Sequence, residues 1–311
     1  MKNILCIVNP VSGLKKSLKV YYEVKNTIKE HGFIPHLLQT KYAGHARKVV
    51  SELQSDQFDR ILIFGGDGTV NEVVNGLYQS DLCSFFPIGI IPTGSGNSIV
   101  HDIDCLDYNI AIKRALSDNI RLMDVNKAIF DNEVRLSVSI IGWGMFSFGN
   151  VLADKLRFLG TIRYDIASVI KLLEKTLYKA KISIDGETSD ISCAFMVGCN
   201  SIHTGKGMKI APLGGFYDEM IDMVIVKDDV SRLQLFAIFK KVYTGEHVDL
   251  PYVHMSQVKS FSIDALKQLK QQWAQASFYN LYGPTETNVC TYYKIPEQFE
   301  LRQTAFPIGK V

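Results

Sequence analysis

The sequence predicts an α/β protein: an N-terminal doubly wound parallel sheet, then a second, antiparallel β-rich domain. Three observations carry this. Short apolar runs alternate with helical periodicity over residues 1–125, the pattern of a parallel sheet wound with helices. Glycine-rich turns follow the apolar runs at 61–64 and 87–91, at the strand ends where such sheets bind ligands. Beyond residue 125 strand-like segments are punctuated by Asp185-Gly186 and Gly214-Gly215, the texture of antiparallel hairpins. At 311 residues the chain is long enough for two domains, each with its own core.

In order, residues 4–8 read as a buried strand. Residues 17–30 read as a helix with Leu18, Tyr21, Val24 and Ile28 on one face and Gly32 as its stop. A strand at 33–38, a helix at 43–53, a strand at 60–64, a helix at 69–78 and a strand at 87–91 complete the first domain, assigned to residues 1–125. The second domain, residues 126–263, should hold strands at 134–141, 181–185, 191–197, 221–226 and 257–263. A long helix at 151–178 and a shorter one near 231–243 interrupt them. The cleft between the domains is the expected place for a substrate.

A composition of 47% hydrophobic and 21% charged residues excludes a disordered or collagen-like chain. Six scattered cysteines without a CxxC pair read as buried thiols of a reducing, cytoplasmic protein. The net charge is only +2, but residues 1–50 hold nine Lys/Arg against Glu23 and Glu30. That basic region is read as facing a nucleotide, an anionic membrane, nucleic acid or solvent. The apolar run at 4–8 is too short for a signal peptide. The 18 uncharged residues 136–153 reach membrane-spanning length, yet seven Ser, Gly and Asn interrupt them. The expectation is a protein that can touch a membrane surface without crossing it.

The most informative string is Gly65-Gly-Asp-Gly-Thr69. Gly65, Gly66 and Gly68 let the chain turn tightly and bring backbone N–H groups close to a phosphate, and the helix expected from Thr69 points its positive end the same way. A carboxylate in such a cradle repels the ligand unless it binds a bridging cation or takes a proton from an attacking hydroxyl. Asp67 therefore points to phosphoryl transfer. The second glycine loop, Pro92-Thr-Gly-Ser-Gly-Asn97, offers Thr93 and Ser95 as donors and Gly94 and Gly96 for close approach. With Asn9-Pro-Val-Ser-Gly13 and Thr40, four strand ends are expected to converge. No Walker loop, dinucleotide GxGxxG, kinase HRD or DFG, GxSxG elbow or HExxH is present.

Together with Asn71-Glu72, these three motifs resemble the diacylglycerol kinase and sphingosine kinase family of lipid kinases, over about residues 1–263. Arg157-Phe-Leu-Gly-Thr-Ile-Arg163-Tyr164, Gly205-Lys-Gly-Met-Lys-Ile-Ala-Pro212 and Asp218 through Asp222 agree. The resemblance implies ATP- and Mg2+-dependent phosphorylation of a lipid hydroxyl, with no nucleic-acid partner. It implies Asp67 as the proton acceptor, nucleotide contacts at Asn9, Thr40, Glu72, Gly94, Ser95, Gly96, Arg157 and Arg163, and Mg2+ at Asp218. Two readings stay open beside it: a nucleotide- and lipid-binding remnant without turnover, and an NAD kinase-like soluble kinase, since NAD kinases also use a GGDG turn. A homodimer is compatible with the sequence. The helix carrying Lys155, Arg157, Phe158, Arg163, Tyr164, Lys171 and Lys175 is expected either to meet a membrane surface or to pack in the core.

The sequence also departs from that family. Asn150 stands where the sphingosine kinase branch has an acid, and Glu219 follows Asp218 where the family commonly has glycine. Family members continue past a strand like 257–263 into a hairpin with Asp-Gly-Glu, whereas Asp185-Gly-Glu187 lies too early to be that motif. Residues 264–311, with Phe278-Tyr-Asn-Leu-Tyr-Gly-Pro-Thr-Glu286 and Phe306-Pro-Ile-Gly-Lys310, are instead similar to a fragment of peptide-synthetase adenylation domains.

Overall fold

A computed structural model describes residues 2–130, 133–144, 177–205, 207–264, 279–282 and 291–294. It divides into two compact units. The first comprises Met1–Val125 with Leu136–Ser139 and His203–Gly207, and the second holds the remainder.

The first unit is a four-stranded parallel sheet in the order β2-β1-β3-β4. Its strands are β1 (Lys2–Val8), β2 (Phe33–Gln39), β3 (Arg60–Gly65) and β4 (Ile88–Pro92). Between them run α1 (Ser17–Glu30), α2 (His45–Ser51) and α3 (Asp67–Gln79). Because side chains alternate across a strand, Ile4, Cys6 and Val8 pack with Val20, Tyr21, Val24 and Ile28 of α1, while Leu5 and Ile7 are buried on the other face. Gly32, at φ 84°, ends α1 in the left-handed conformation, as its position predicted.

Two helices here were not expected from the sequence: α4 (Ser98–Asp102) and α5 (Tyr108–Leu116). The five-residue α4 is too short to show a periodicity, and it starts after Asn97 in the left-handed region, φ 54°. α3 begins at Asp67, two residues before the expected Thr69, so the aspartate lies in its first turn.

The second unit is antiparallel. It contains β5 (Asn126–Phe130), the first three residues of β6 (Glu133–Ser137), β7 (Ile140–Gly144), β8 (Tyr178–Ile184) and β9 (Glu187–Cys199). After β10 (His203–Thr204) of the first unit come β11 (Met208–Lys209), β12 (Ile221–Lys227), α6 (Arg232–Lys241), β13 (Val253–Val258) and β14 (Phe261–Asp264). The main sheet runs β13-β12-β9-β8-β14. One edge of β9 pairs with β8 over its first half and with β7 over its second, which accounts for its thirteen residues.

Three sequence expectations change. The single strand at 134–141 is two strands, β6 and β7, and the strand at 257–263 is likewise two, β13 and β14. Asp185 explains the second break: its carboxylate accepts the N–H groups of Lys259 and Ser260 at 2.9 and 2.8 Å, fixing a turn there. Tyr178, expected to close a long helix, opens β8. Residues 151–176 of that helix, with Lys155, Arg157, Phe158, Arg163, Tyr164, Lys171 and Lys175, lie outside the described residues, as does Asn150. So does most of 264–311, where Tyr279–Tyr282 and Thr291–Lys294 form an antiparallel pair, β15 and β16. Among the described residues no helix is long and apolar enough to cross a membrane.

Candidate active site

The parallel sheet brings three of the predicted loops together at its carboxyl edge. The Asn9 N–H donates to the Phe64 carbonyl at 3.0 Å, and the Thr93 N–H donates to the Gly65 carbonyl at 3.2 Å, so β1, β3 and β4 remain in register past their ends. The Thr40 N–H donates to the Val8 carbonyl at 2.9 Å, which places Thr40 at the matching point of β2.

Glycine is required where these loops touch. A Cβ on Gly94 would stand 2.3 Å from the Gly66 Cα, and a Cβ on Gly13, at φ 47°, would stand 1.9 Å from the Thr93 carbonyl oxygen. Both obstacles are backbone and cannot swing aside. A Cβ on Gly65 would meet the Thr69 side chain at 2.6 Å. Thr69 in turn accepts a bond from the Asn9 side chain at 3.1 Å, joining the first loop to the second. The second and third loops touch through Gly66 and Gly94, and Asn97 closes the third by bonding both the N–H and the carbonyl of Gly94.

Asp67 is the centre of the arrangement. One carboxylate oxygen accepts the Ser98 N–H and hydroxyl, both at 3.0 Å, and the other accepts the Ile99 N–H at 3.3 Å. These N–H groups are the unpaired ones of the first turn of α4, which favour a negative charge. Three of about four acceptor positions of the carboxylate are thus occupied.

Glu72, one and a half turns further along α3, is half-buried. Its two oxygens accept the N–H groups of Gly44 and Ala46 at 2.8 and 3.1 Å, at the start of α2. Glu72, a nucleotide contact by the family resemblance, here pins the loop that follows Thr40. Thr93 is fully buried and its hydroxyl accepts a bond from Ser17 at 2.8 Å, whereas Ser95 is exposed and Gly96 half-buried.

In the second unit, Asp218 is exposed and accepts the Met220 N–H at 3.1 Å and the Gln257 side-chain N–H at 3.1 Å. Asp222, on β12, is fully buried with no hydrogen-bond partner on either oxygen. Burial, and then the charge of Asp218, push its carboxyl up to about 6, against the smaller opposing effect of the Gln257 side chain. Only a lone polar residue within the apolar run Ile221-Asp-Met-Val-Ile-Val226 hinted at it. Among the described residues no cluster of three or more His, Cys, Asp and Glu could hold a metal ion.

Residues 3–128 match the diacylglycerol kinase catalytic domain, and residues 139–275 match the YegS C-terminal NAD kinase beta sandwich-like domain. The two matches lie side by side along most of the chain, which is similar to lipid kinases. The chain is 25% identical to sphingosine kinase 1 of Arabidopsis thaliana over 313 residues, covering 85% of this chain and 64% of that protein. The chain thus spans a little under two thirds of that relative. It is 24% identical to a diacylglycerol kinase of Mycobacterium tuberculosis over 271 residues, 84% of each chain. A crystal structure of a diacylglycerol kinase from Bacillus anthracis shares the fold of this chain, with TM-score 0.67 and 24% identity over 85% of this chain and 86% of that one. The match to the second domain runs to residue 275, past the boundary at 263, and nothing in these matches supports the likeness of 264–311 to adenylation domains.

Proposed function

We propose that this chain is a kinase that transfers the γ-phosphoryl group of ATP to a lipid hydroxyl, with Asp67 as the group that takes the hydroxyl proton. The observation that carries the proposal is the clamped Asp67 carboxylate at the junction of two glycine loops that exclude any side chain between them. The clamp leaves one acceptor position for a substrate hydroxyl and fixes its direction, as proton transfer requires. Backbone N–H groups of the loops around Gly65, Gly66, Gly68 and Gly94 to Gly96 cradle the phosphates, with the exposed Ser95 hydroxyl as a further donor. Asn9, Thr69 and Thr93 hold those loops in place, and Glu72 acts on the nucleotide through the segment after Thr40. Arg157 and Arg163, by the family resemblance, neutralise charge on the transferred group.

Mg2+ suits this chemistry. The unpartnered, fully buried carboxylate of Asp222 lies in the field of Asp218, and hard cations prefer such oxygen ligands. Asp218 would hold the ion, with the charge of Asp222 behind it. When bound, Mg2+ neutralises charge on phosphate oxygens.

The test is transfer of labelled γ-phosphate from ATP to diacylglycerol or a sphingoid base in mixed micelles. Asp67→Asn should lower the rate at least about a hundredfold; equal incorporation by both proteins would sink the role given to Asp67. A second reading is favoured by the description of the C-terminal match, an NAD kinase beta sandwich-like domain: phosphorylation of NAD in place of a lipid. Incorporation into NAD and into no lipid would select it. Nucleotide binding without any product would identify a binding remnant. Peripheral contact with a membrane follows from a lipid substrate, and flotation with anionic liposomes tests it.

A further inference from the structure

Helix α4 begins without a side-chain cap. Asn97, the residue before it, makes no side-chain bond to the helix, because its amide is taken up by both backbone groups of Gly94, at 2.9 and 3.0 Å. The unpaired N–H groups of Ser98 and Ile99 turn instead to Asp67, a carboxylate from α3. Five residues do not make a stable helix unaided, and the other end is tied as well: Asp102 accepts the His203 N–H at 3.3 Å.

Ser98 adds its side chain to this clamp. A serine hydroxyl in a helix often bonds back to the carbonyl four residues earlier. Here that carbonyl belongs to Gly94 and already accepts from Asn97. The Ser98 hydroxyl donates to Asp67 at 3.0 Å, and the residue is only 3% exposed, so the bond is shielded from water.

The bonds on Asp67 are shared unevenly. Oδ2 takes two, from the N–H and the hydroxyl of Ser98, and has no lone pair left. Oδ1 takes one, the longer bond from Ile99 at 3.3 Å, and keeps a lone pair. The two oxygens of a carboxylate are chemically equivalent, so only the clamp tells them apart. Of its three donors, the hydroxyl is the one that a side-chain substitution can remove.

We infer that Ser98 is a positioning residue whose hydroxyl, by filling Oδ2, makes Oδ1 the oxygen that meets the substrate. This rests on Asp67 being the base, and it adds which atom reacts and what holds it there. The substrate O–H bond breaks and its proton passes to Oδ1. The electron pair left on the substrate oxygen bonds the γ-phosphorus, and the bond from that phosphorus to ADP breaks with its electrons on ADP. A carboxylate free to rotate would present its oxygens off line, and a misplacement of about 1 Å can slow a reaction about a hundredfold.

The test uses ATP with diacylglycerol or a sphingoid base in mixed micelles. Ser98→Ala should lower kcat about tenfold while KM for ATP stays the same. Ser98→Thr keeps the hydroxyl and should recover most of that loss, whereas Ser98→Cys fills the space but donates weakly and should not. In the Asp67→Asn background Ser98→Ala should bring no further loss, because both act on one step. A spectroscopic readout accompanies the rates: at fixed pH the NMR signal of the Asp67 carboxyl carbon should move in Ser98→Ala and return toward its place in Ser98→Thr. Should Ser98→Thr not fold, Ser98→Cys decides, since a packing role would leave it as active as the unaltered protein. An unchanged kcat in Ser98→Ala, full activity in Ser98→Cys, or an equal loss in the Asp67→Asn background would overturn the inference and leave Asp67 as the base. That reading fails separately, through an active Asp67→Asn, and no turnover of either lipid by the unaltered protein would overturn both.

Discussion

The acidic side chains of the two units meet different fates. In the first unit Asp67 and Glu72, both on α3, are satisfied by N–H groups at the starts of α4 and α2. In the second, Asp222 is fully buried and finds no donor. The architecture explains the contrast. A parallel sheet gathers helix N-termini at one edge, and each brings N–H groups that its own helix cannot use. An antiparallel sheet consumes its amides in the ladder: β12 is paired on both sides, with β9 and with β13, so a carboxylate on that strand finds no backbone N–H, and the side chain of Gln257 opposite it donates to Asp218. The first arrangement stabilises charge where chemistry needs it, and the second stores an electrostatic cost.

The comparison breaks most severely if the first unit's loops are forced apart. Gly13→Ala must displace the Thr93 carbonyl from a left-handed position, so urea denaturation should show a loss of more than about 3 kcal/mol. A smaller loss would mean that the loops separate easily and do not form a fixed cradle.

Asp222 supplies the next effect, with opposite sign. The folded protein keeps its proton to about pH 6 against an ordinary 3.8. Stability is therefore fully present below about pH 4, falls as the pH rises through 6, and stays reduced at pH 8. Asp222→Asn removes the charge, so in a chelating buffer it should gain on the order of 3 kcal/mol at pH 8 and nothing below about pH 4. A gain independent of pH would show that the carboxylate is not the source.

Glu72→Ala leaves two N–H groups of the α2 start without their carboxylate and should cost about 1 to 2 kcal/mol, while Glu72→Gln should cost less. The smallest effect belongs to Gly215 in the second unit. A Cβ there meets nothing within 4 Å, so Gly215→Ala should change stability by under about 0.5 kcal/mol. A larger change would contradict the open loop around it.

Most of the first unit was legible in the sequence because its signals are local. The apolar runs at 4–8 and 60–64 and the glycines after them prescribe strand, turn and helix within a dozen residues of one another. α4 was not legible, because five residues after a left-handed asparagine carry neither a period nor a capping signature. The breaks within 134–141 and 257–263 were hidden as well, since both stretches keep a strand-like composition through the turn.

The sequence by itself determined the strand–helix alternation of the first unit from β1 to β4, the use of glycine at 65 and 94, and the presence of a carboxylate between two glycine loops. Tertiary structure alone decided what that carboxylate and its neighbours bond. Asp67 and Ser98 are 31 residues apart, Glu72 and Gly44 are 28, and Asp102 and His203 are 101. A side chain's partner is whichever N–H group the backbone ladder leaves unused nearby in space, and which groups those are is fixed only when sheets and helices have closed.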